Sequence, residues 1–356
     1  MAPSAELMEL LACPGCSEPL QDLACLRCRV RYPCPGGIPS LRVVSDERTN
    51  AVRRFYEEAP FPGYPPHENL ASLRARARRS SFAQALDAAI PAGARVLELG
   101  CGTGQMSLFL ASGGRLVVGA DLSRPSLQLA TQTAASLEIR SALFAETDLQ
   151  RPGLKPAAFD VVYSSGVLHH TPMPRASFSA MARLVKPGGV LVLGLYNSLA
   201  RLPHRLRRAV AGLTGFRWIP FDPILRAREH EPERRQAWLR DQYQHPEEHR
   251  HTLGEVKRWF RENGVEFLRT YPSTLWVEEE AGGATLFTPA DDDWWMEEWL
   301  AQVRWMSTLS AEGGLFLILG RRAAAGARRT ASTGPILAHR RRSDAPPGGP
   351  IGNSQS

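Results

Sequence analysis

Residues 96–105 have the composition of a turn that holds a small ligand. They read Val-Leu-Glu-Leu-Gly-Cys-Gly-Thr-Gly-Gln, with glycine at Gly100, Gly102 and Gly104. Glycine adopts backbone conformations that are closed to other residues and lets the main chain approach a ligand closely. The helix predicted to follow the turn offers free amide groups at its N-terminus. The segment therefore predicts a ligand-binding turn, although the dinucleotide fingerprint would require glycine where Gln105 stands.

Polar or small residues also end the next three predicted strands. Asp121 ends the second strand, where an acidic side chain can accept hydrogen bonds from both hydroxyls of a ribose. The third strand runs into Asp148 and Leu149, and the fourth ends in small residues that include Ser165. Open α/β sheets bind ligands at the carboxyl ends of their strands. The four strand ends predict a single site, although Asp148 taken alone also fits a helix cap.

Two adjacent histidines, His169 and His170, follow the fourth strand. An imidazole beside an arriving acceptor is suited to removing its proton. The same position in a loop is equally consistent with a packing role. Both histidines are therefore candidate catalytic bases.

Four cysteines near the N-terminus form two C-x-x-C pairs, Cys13 with Cys16 and Cys25 with Cys28. Each pair directs two thiolates at one point, and two pairs complete a tetrahedral zinc site with no open position. The predicted zinc is therefore structural, and reduced, metal-free thiols are the alternative. Cys34 is not expected to bind the zinc. Cys101 is interpreted as a small packing residue with no part in the chemistry.

Short apolar strands alternate with helical patterns from Ala94 onward, which predicts an α/β fold with a mostly parallel, doubly wound sheet. We expect seven strands, completed by two C-terminal ones. A helix that starts at Thr252 and stops at Gly264 has the residues of a capping box and a glycine terminator. The predicted parts are a zinc ribbon (1–45), a linker and cofactor lid (46–90), the catalytic domain (91–322), its helical insertion (about 198–250), its Trp-rich insertion (about 272–312) and a disordered basic tail (323–356).

Three segments outside the glycine turn are candidates for the acceptor side. The aromatic and proline-rich stretch 53–64 predicts either a lid, with Tyr56 or Tyr64 at the site, or a packed linker. The polar segment 242–251, with three histidines, is interpreted as a solvated or substrate-facing loop, because its spacing does not match a metal motif. In the Trp-rich insertion, Trp295, Trp299 and Val303 follow each other at helical spacing, which indicates core or interface packing and alternatively an apolar acceptor pocket.

The chain's positive charge is concentrated at one end. The 356 residues carry a formal charge of +7, and residues 321–356, with seven Arg and one Asp, hold +6 of it. This tail is rich in Ala, Gly, Pro and Ser, a composition that predicts disorder. The body of the chain is nearly neutral, which does not favour nucleic acid as the main partner.

Neither a secretory leader nor a membrane-length apolar run is apparent in the sequence. We therefore expect a cytoplasmic protein without a transmembrane segment. In a reducing compartment, six cysteines are thiols or metal ligands rather than disulfides.

The motifs ELGCGTGQ, GADLS, ETDLQ, FDVVYSSGVLHHTPMP and LVKPGGVLVL resemble, in this order, those of class I S-adenosylmethionine-dependent methyltransferases of the type 11-like group. The resemblance covers residues 94–197 and implies S-adenosylmethionine as cofactor. It implies that Glu98 and the three glycines hold the methionine portion of the cofactor and Asp121 its ribose. It further places Leu122 against the adenine, Asp148 at the exocyclic amine and Ser165 near the methionine end, with Leu149 beside Asp148.

The N-terminal cysteine segment resembles the zinc ribbons of tRNA-methyltransferase activators and, more broadly, the zinc module of a bacterial rRNA guanine methyltransferase.

Three hypotheses for the function of the chain follow from the sequence. The leading one is methyl transfer to a small-molecule or lipid-like acceptor, since the body is neutral and the insertion aromatic. The alternatives are an RNA methyltransferase that uses the ribbon and tail, and a non-catalytic adaptor with this fold. The acceptor and the oligomeric state stay open.

Overall fold

A computed structural model of the chain describes residues 4–43, 46–58, 60, 69–274, 282–290, 295–309 and 313–324. These residues belong to one compact unit that ends at Ala324. Residues 325–356, most of the predicted basic tail, lie outside the described residues, as does Tyr64. The disorder of the tail therefore stays a prediction.

The described residues contain a two-stranded and an eight-stranded sheet. The strands are β1 (Ala24–Cys25), β2 (Val30–Arg31), β3 (Ser40–Leu41), β4 (Arg95–Leu99), β5 (Leu116–Asp121), β6 (Ala142–Thr147), β7 (Phe159–Ser165), β8 (Val185–Tyr196), β9 (Val265–Tyr271) and β10 (Leu315–Arg322). The large sheet has the order β3-β6-β5-β4-β7-β8-β10-β9. Its strands β3 to β8 are parallel, and β10 runs antiparallel to both neighbours.

The helices lie on both faces of the large sheet or in the insertions. They are α1 (Ala5–Met8), α2 (Glu47–Glu58), α3 (Leu70–Ala77), α4 (Ser81–Ala89), α5 (Gln105–Ala111), α6 (Arg124–Ser136), α7 (Pro174–Leu184), α8 (Leu202–Leu213), α9 (Pro223–Ala227), α10 (Pro232–Tyr243), α11 (Leu253–Glu262) and α12 (Trp295–Thr308), with 3-10 turns at Pro35–Gly37 and Leu168–His170. The predicted start and stop of α11 are confirmed: the Thr252 side chain accepts from the Glu255 amide, and Gly264 has φ +66°.

The central strands are apolar on both faces because helices cover both sides of the sheet. Leu97 and Val118 are buried in the core on one side, and Val96 and Val117 in the core on the other. This pattern of alternating burial confirms the α/β fold class. The sheet nevertheless has eight strands where seven were expected.

The eighth strand, β3, comes from the N-terminal cysteine segment. Ser40 and Leu41 pair in parallel with Glu146 and Thr147 of β6. Leu7, Leu10 and Leu41 are buried in the same core as the central strands. The N-terminal segment is therefore built into the edge of the catalytic sheet. Its cysteine pattern predicts the zinc site but carries no sign of this pairing, because two residues are too short to show a strand period.

The structure shows which residues of the two insertions are exposed. In the segment 242–251, Gln242 and His245 are buried rather than solvated, and Gln242 faces the cavity described below, which agrees with the substrate-facing alternative. In α12, Trp305 is buried against Phe316, whereas Trp299 and Val303 of the predicted stripe are about half exposed. Helical spacing correctly predicts α12, but it does not identify which of its faces meets the sheet.

Candidate functional site

A cavity of about 360 Å³ opens at the carboxyl ends of β4, β5, β7 and β8. It is lined by predicted site residues from the strand ends and by side chains from α2 and α10. The predicted residues that line it are Glu98, Gly100, Gly102, Asp121, Leu122, Leu149, Ser165 and His170. Most of the residues predicted from separate motifs are therefore brought together in one place.

The glycine turn between β4 and α5 needs its glycines. Gly100, Gly102 and Gly104 have φ of +75°, +51° and +77°, in the left-handed region that favours glycine. A Cβ added at Gly100 would collide with the side chain of Val167, which also lines the cavity. The turn therefore packs its main chain closely against Val167 at the edge of the cavity.

Asp121 ties the glycine turn to β5. Its Oδ2 accepts from the Gly102 amide at 2.8 Å, and its Oδ1 accepts from the Ser123 amide at 2.7 Å. Burial raises the pKa of this carboxyl despite these bonds. The two amides fix the orientation of the carboxylate, so that its remaining lone pairs are available to a ligand in the cavity.

Glu98 is the second buried carboxyl of the cavity. The Ser107 hydroxyl of α5 donates to its Oε2. Burial raises the pKa of Glu98 to about 8, and the nearby Asp121 acts in the same direction. A buried carboxyl with a raised pKa is suited to meeting a cationic group, because a positive partner would restore its ordinary ionisation.

Three predicted residues do not line the cavity. Gly104 caps α5 and lies where a Cβ would meet Ala130 at 2.8 Å, so it allows close helix packing. Asp148 accepts from the Gln150 amide at 2.9 Å in a turn after β6. His169 is fully buried and stacks on Tyr196, with ring centroids 3.7 Å apart. Of the two candidate bases, His170 lines the cavity and His169 does not.

The tautomer of His170 is set by one hydrogen bond. Its Nδ1 lies 2.7 Å from the main-chain oxygen of Glu247. A carbonyl oxygen only accepts, so Nδ1 carries the proton, and the neutral ring has its lone pair on Nε2. Nε2 has no hydrogen-bond partner among the described residues. Burial lowers the pKa of His170 to about 4, so the ring is neutral at physiological pH.

The helical insertion and α2 close the cavity opposite the strand ends. The Tyr56 hydroxyl of α2 donates to Asp241 of α10 at 2.9 Å, and both residues line the cavity. Gln242 donates to Asp241 at 2.8 Å and to the Tyr196 hydroxyl at 2.6 Å. The predicted linker therefore supplies Tyr56 to the site, held by a polar network that spans three elements.

A buried arginine, Arg201, holds this network in place from outside the cavity. Its Nη1 donates to the Gln242 side chain at 2.6 Å, and its Nη2 pairs with Glu248 at 2.9 Å. Its guanidinium also lies 3.8 Å from the ring centre of Tyr196. The charge of Arg201 is thus matched by that of Glu248. The guanidinium of Arg201 helps to hold the pKa of the Glu248 carboxyl at about 2, although burial acts in the opposite direction.

Sequence reasoning missed the residues that the insertion contributes. Tyr196 ends β8, and the same strand-end logic could have identified it. Trp238, Asp241 and Gln242 lie on α10, whose polar sequence gives no sign that this helix packs over a cavity. Their role depends on how the insertion folds back onto the sheet, which local patterns do not encode.

The four N-terminal cysteines converge as their spacing predicts. Their Sγ atoms all lie within 4.8 Å of one another, with Cys13 and Cys28 3.8 Å apart and Cys16 and Cys25 3.5 Å apart. Sulfurs bound to one zinc at about 2.3 Å lie roughly 3.8 Å from each other. The Cys28 amide also lies 3.3 Å from the sulfur of Cys25. The donor set and its spacing fit a tetrahedral zinc ion, whereas Cys34 is exposed outside the cluster.

The other candidate metal ligands do not converge. Within the described ranges, the cysteine cluster is the single group of three or more His, Cys, Asp or Glu side chains close enough to share an ion. His245 instead packs against His170 with ring centroids 3.7 Å apart and the ring planes tilted by 32°, and His251 lies 3.0 Å from Glu255. No helix in the part of the chain that the structure describes has the length and apolarity to cross a membrane.

Comparison with known proteins identifies the catalytic segment. Residues 97–193 match the family model described as a methyltransferase domain. An uncharacterized methyltransferase of Mycobacterium bovis is 32% identical over 146 residues, which are 39% of this chain and 73% of that protein.

Two further relatives match different lengths of the chain. An uncharacterized protein of Synechococcus sp. is 27% identical over 270 residues, covering 67% of this chain and 64% of that protein. A ubiquinone biosynthesis O-methyltransferase of Dechloromonas aromatica is 38% identical over 125 residues, covering 34% of this chain and 51% of that protein. The chain thus spans less than two thirds of the length of these two relatives. With the strand order, the glycine turn and the matched domain in agreement, the chain belongs to the class I S-adenosylmethionine-dependent methyltransferases.

Proposed function

We propose that this enzyme transfers the methyl group of S-adenosylmethionine to a hydroxyl oxygen of a small, largely apolar acceptor, with His170 as the base. The observation that carries this proposal is the neutral imidazole of His170, which lines the cavity with its Nε2 free of partners among the described residues. The relatives named as ubiquinone biosynthesis O-methyltransferases support transfer to oxygen.

The residues around the cavity fit the cofactor. Glu98, Gly100 and Gly102 would hold its methionine portion, and Asp121 would accept from its ribose hydroxyls. Leu122 and Leu149 supply apolar contacts for the adenine, and Ser165 lies at the methionine side. Asp148 as partner of the adenine amine stays a prediction. When bound, S-adenosylmethionine supplies an electrophilic methyl group.

The remaining residues act on the acceptor. Methyl transfer is an in-line displacement, so the protein's main task is to align the acceptor oxygen and to remove its proton. Tyr56, Tyr196 and Trp238 give the cavity aromatic walls suited to an apolar acceptor. His170 takes the hydroxyl proton on Nε2, while the Glu247 carbonyl holds its Nδ1–H and stabilises the imidazolium that forms.

We further propose that Cys13, Cys16, Cys25 and Cys28 bind one structural zinc ion. Four thiolates leave no open coordination position, so the ion would shape the N-terminal segment and take no part in methyl transfer.

The proposal is tested with methyl-labelled S-adenosylmethionine and three probes: catechol, a catechol with a long alkyl chain, and bulk tRNA. We expect label on a catechol oxygen. His170→Asn keeps a donor for the Glu247 carbonyl but removes the Nε2 lone pair. It should lower kcat by about 100-fold, the usual scale of general-base catalysis, with unchanged cofactor affinity. His249→Asn, at a partly buried histidine outside the cavity, is the matched control.

One result would reject this acceptor class, and another would reject the proposed base. Labelling of tRNA but of neither catechol would favour the RNA methyltransferase hypothesis. Full activity of His170→Asn on catechol would remove His170 as the base.

A further inference from the structure

Helix α8 of the insertion exposes apolar side chains on the face that points away from the protein. Successive residues of an α-helix are rotated by about 100°. Leu206, Val210 and Leu213 therefore form one stripe on the side opposite His204 and Ala211, which are buried. The exposed fractions of the three stripe residues are 71%, 37% and 88%. We call these three residues the α8 stripe.

This arrangement is the reverse of an ordinary surface helix, whose outward face is polar and whose inward face is apolar. The inward face of α8 carries His204, whose Nε2 bonds the main-chain oxygen of Gln242 at 2.9 Å. Further apolar side chains are exposed just after the helix, at Trp218 and Phe221. Residues 206–221 thus expose five large apolar side chains.

Arginines flank the α8 stripe on both sides. On one side, Arg205 lies about 80–140° from the stripe by the helical rotation. Arg205 lines a groove of about 520 Å³ together with Arg250 and with Arg208 of the inward face, and we call this the basic groove. On the other side lies Arg207, about 60–120° from the stripe by the same rotation. The helix therefore presents an apolar stripe between two cationic edges.

The positive charge of the basic groove exceeds what the protein neutralises. The groove's one carboxylate, Glu248, is shared by Arg208 at 3.2 Å and the buried Arg201 at 2.9 Å. Neither Arg205 nor Arg250 has an ion pair with any described residue. Burial lowers the pKa of Arg250, and the neighbouring arginines act in the same direction, whereas Glu248 opposes them. The groove is therefore set up to receive an external anion.

We propose that this face docks on the surface of a bilayer containing anionic phospholipids, with the α8 stripe in the headgroup region and the basic groove on lipid phosphates. A basic helix with an apolar stripe and nearby Trp and Phe has the composition of a helix that lies in a membrane interface. A nucleic acid would match the arginines but would leave the stripe in water. A second copy docked through the same face would bring the two basic grooves together, which their like charges oppose.

The test is flotation of the full-length protein with vesicles of phosphatidylglycerol and phosphatidylcholine, compared with phosphatidylcholine alone. We expect binding to the anionic vesicles that weakens with salt. The double variant Leu206→Ser with Leu213→Ser should reduce partitioning by about tenfold or more, because it removes apolar surface that enters the bilayer. Arg205→Gln with Arg250→Gln should reduce both the partitioning and its salt dependence.

Matched controls replace exposed residues elsewhere. Leu129→Ser on α6, 43% exposed, controls for loss of a surface leucine, and Arg140→Gln controls for loss of a surface arginine. The Arg-rich C-terminal segment is present in every variant, so any attraction it exerts is common to all of them. Quenching of Trp218 fluorescence by brominated phosphatidylglycerol, measured as the difference from Trp218→Phe, gives a second readout.

Three results would overturn the proposal. One is equal vesicle binding by the stripe variant and Leu129→Ser, which would assign any binding to the C-terminal segment. Another is quenching of Trp218→Phe as strong as that of the unchanged protein. The last is a concentration-dependent dimer that Leu206→Ser abolishes, which would identify a second copy as the occupant.

Discussion

At the scale of single residues, the protonation of the site is set by burial. Glu98 and Asp121 have raised pKa values and His170 a lowered one, each because the cavity wall excludes water from the charged form. Without a bound ligand, the cavity therefore favours the neutral forms of these three side chains. A bound sulfonium cation would draw the carboxyls back toward ionisation, whereas His170 has no anionic side chain bonded to it and stays neutral.

The pH dependence of kcat reports the protonation of His170. The base must be neutral to act, and its pKa is lowered from 6.5 to about 4. The rate at saturating cofactor should therefore stay level as the pH falls from 7 to about 5 and should decline only below that. An acid limb centred near pH 6.5, absent from His170→Asn, would show that burial does not control this imidazole.

Substitutions at two glycines can separate the effect of backbone conformation from the effect of the space beside the glycine turn. Gly100→Ala should weaken cofactor binding and lower stability, because it adds a positive-φ cost of about 1–2 kcal/mol and a collision with Val167. Gly93→Ala is the matched control, since Gly93 has φ +76° but nothing within 4 Å of an added Cβ. The measurements are calorimetric affinity and thermal unfolding. Equal effects of the two substitutions would show that the space beside Gly100 is unimportant.

At the scale of elements, the parallel sheet was predictable because its strands carry their own signal. Strands β5 and β8 carry apolar runs on both faces, and they end in Asp121 and Tyr196, which both line the cavity. Helix α10 carries no such signal, since its polar sequence is equally typical of a solvated helix. Asp241 and Gln242 become site residues only through contacts with Tyr56 and Tyr196, which lie far away in the chain.

The pairing of β3 with β6 changes what loss of zinc should do. The sequence alone predicts that Cys25→Ser unfolds residues 1–45 and spares the sheet. Because Leu7, Leu10 and Leu41 share the core of the sheet, we expect Cys25→Ser to release one zinc per chain and to lower the unfolding temperature of the whole domain.

Metal analysis and thermal unfolding followed by far-UV circular dichroism check this expectation. Cys34→Ser, at an exposed cysteine outside the cluster, is the control. A zinc-free protein purified without chelators would contradict the zinc site. A catalytic domain of unchanged stability in Cys25→Ser would contradict the structural coupling.

At the scale of the whole molecule, most of the net positive charge lies outside the part of the chain that carries the candidate site. The catalytic body is nearly neutral, and residues 321–356 hold +6 of the formal charge of +7. Any affinity of this segment for nucleic acid should be electrostatic and strongly weakened by salt. It also lacks the aromatic residues that stack on single-stranded bases.

Truncation after Ala324 should therefore leave cofactor binding and methyl transfer unchanged, while it lowers nonspecific RNA binding at low salt. The measurements are calorimetry, the labelled-methyl assay and RNA binding over a range of salt concentrations. Loss of methyl transfer at physiological salt would make the segment part of acceptor recognition.

Calorimetry of S-adenosylmethionine binding to the unchanged protein and to Asp121→Ala tests most directly whether the cavity at the strand ends is the cofactor site. Asp121 is fixed by two amides and has lone pairs left for the ribose. Its loss should weaken binding by about 1–3 kcal/mol, the range for hydrogen bonds to a charged group. Unchanged affinity in Asp121→Ala, with the fold intact, would contradict the placement of the cofactor in this cavity.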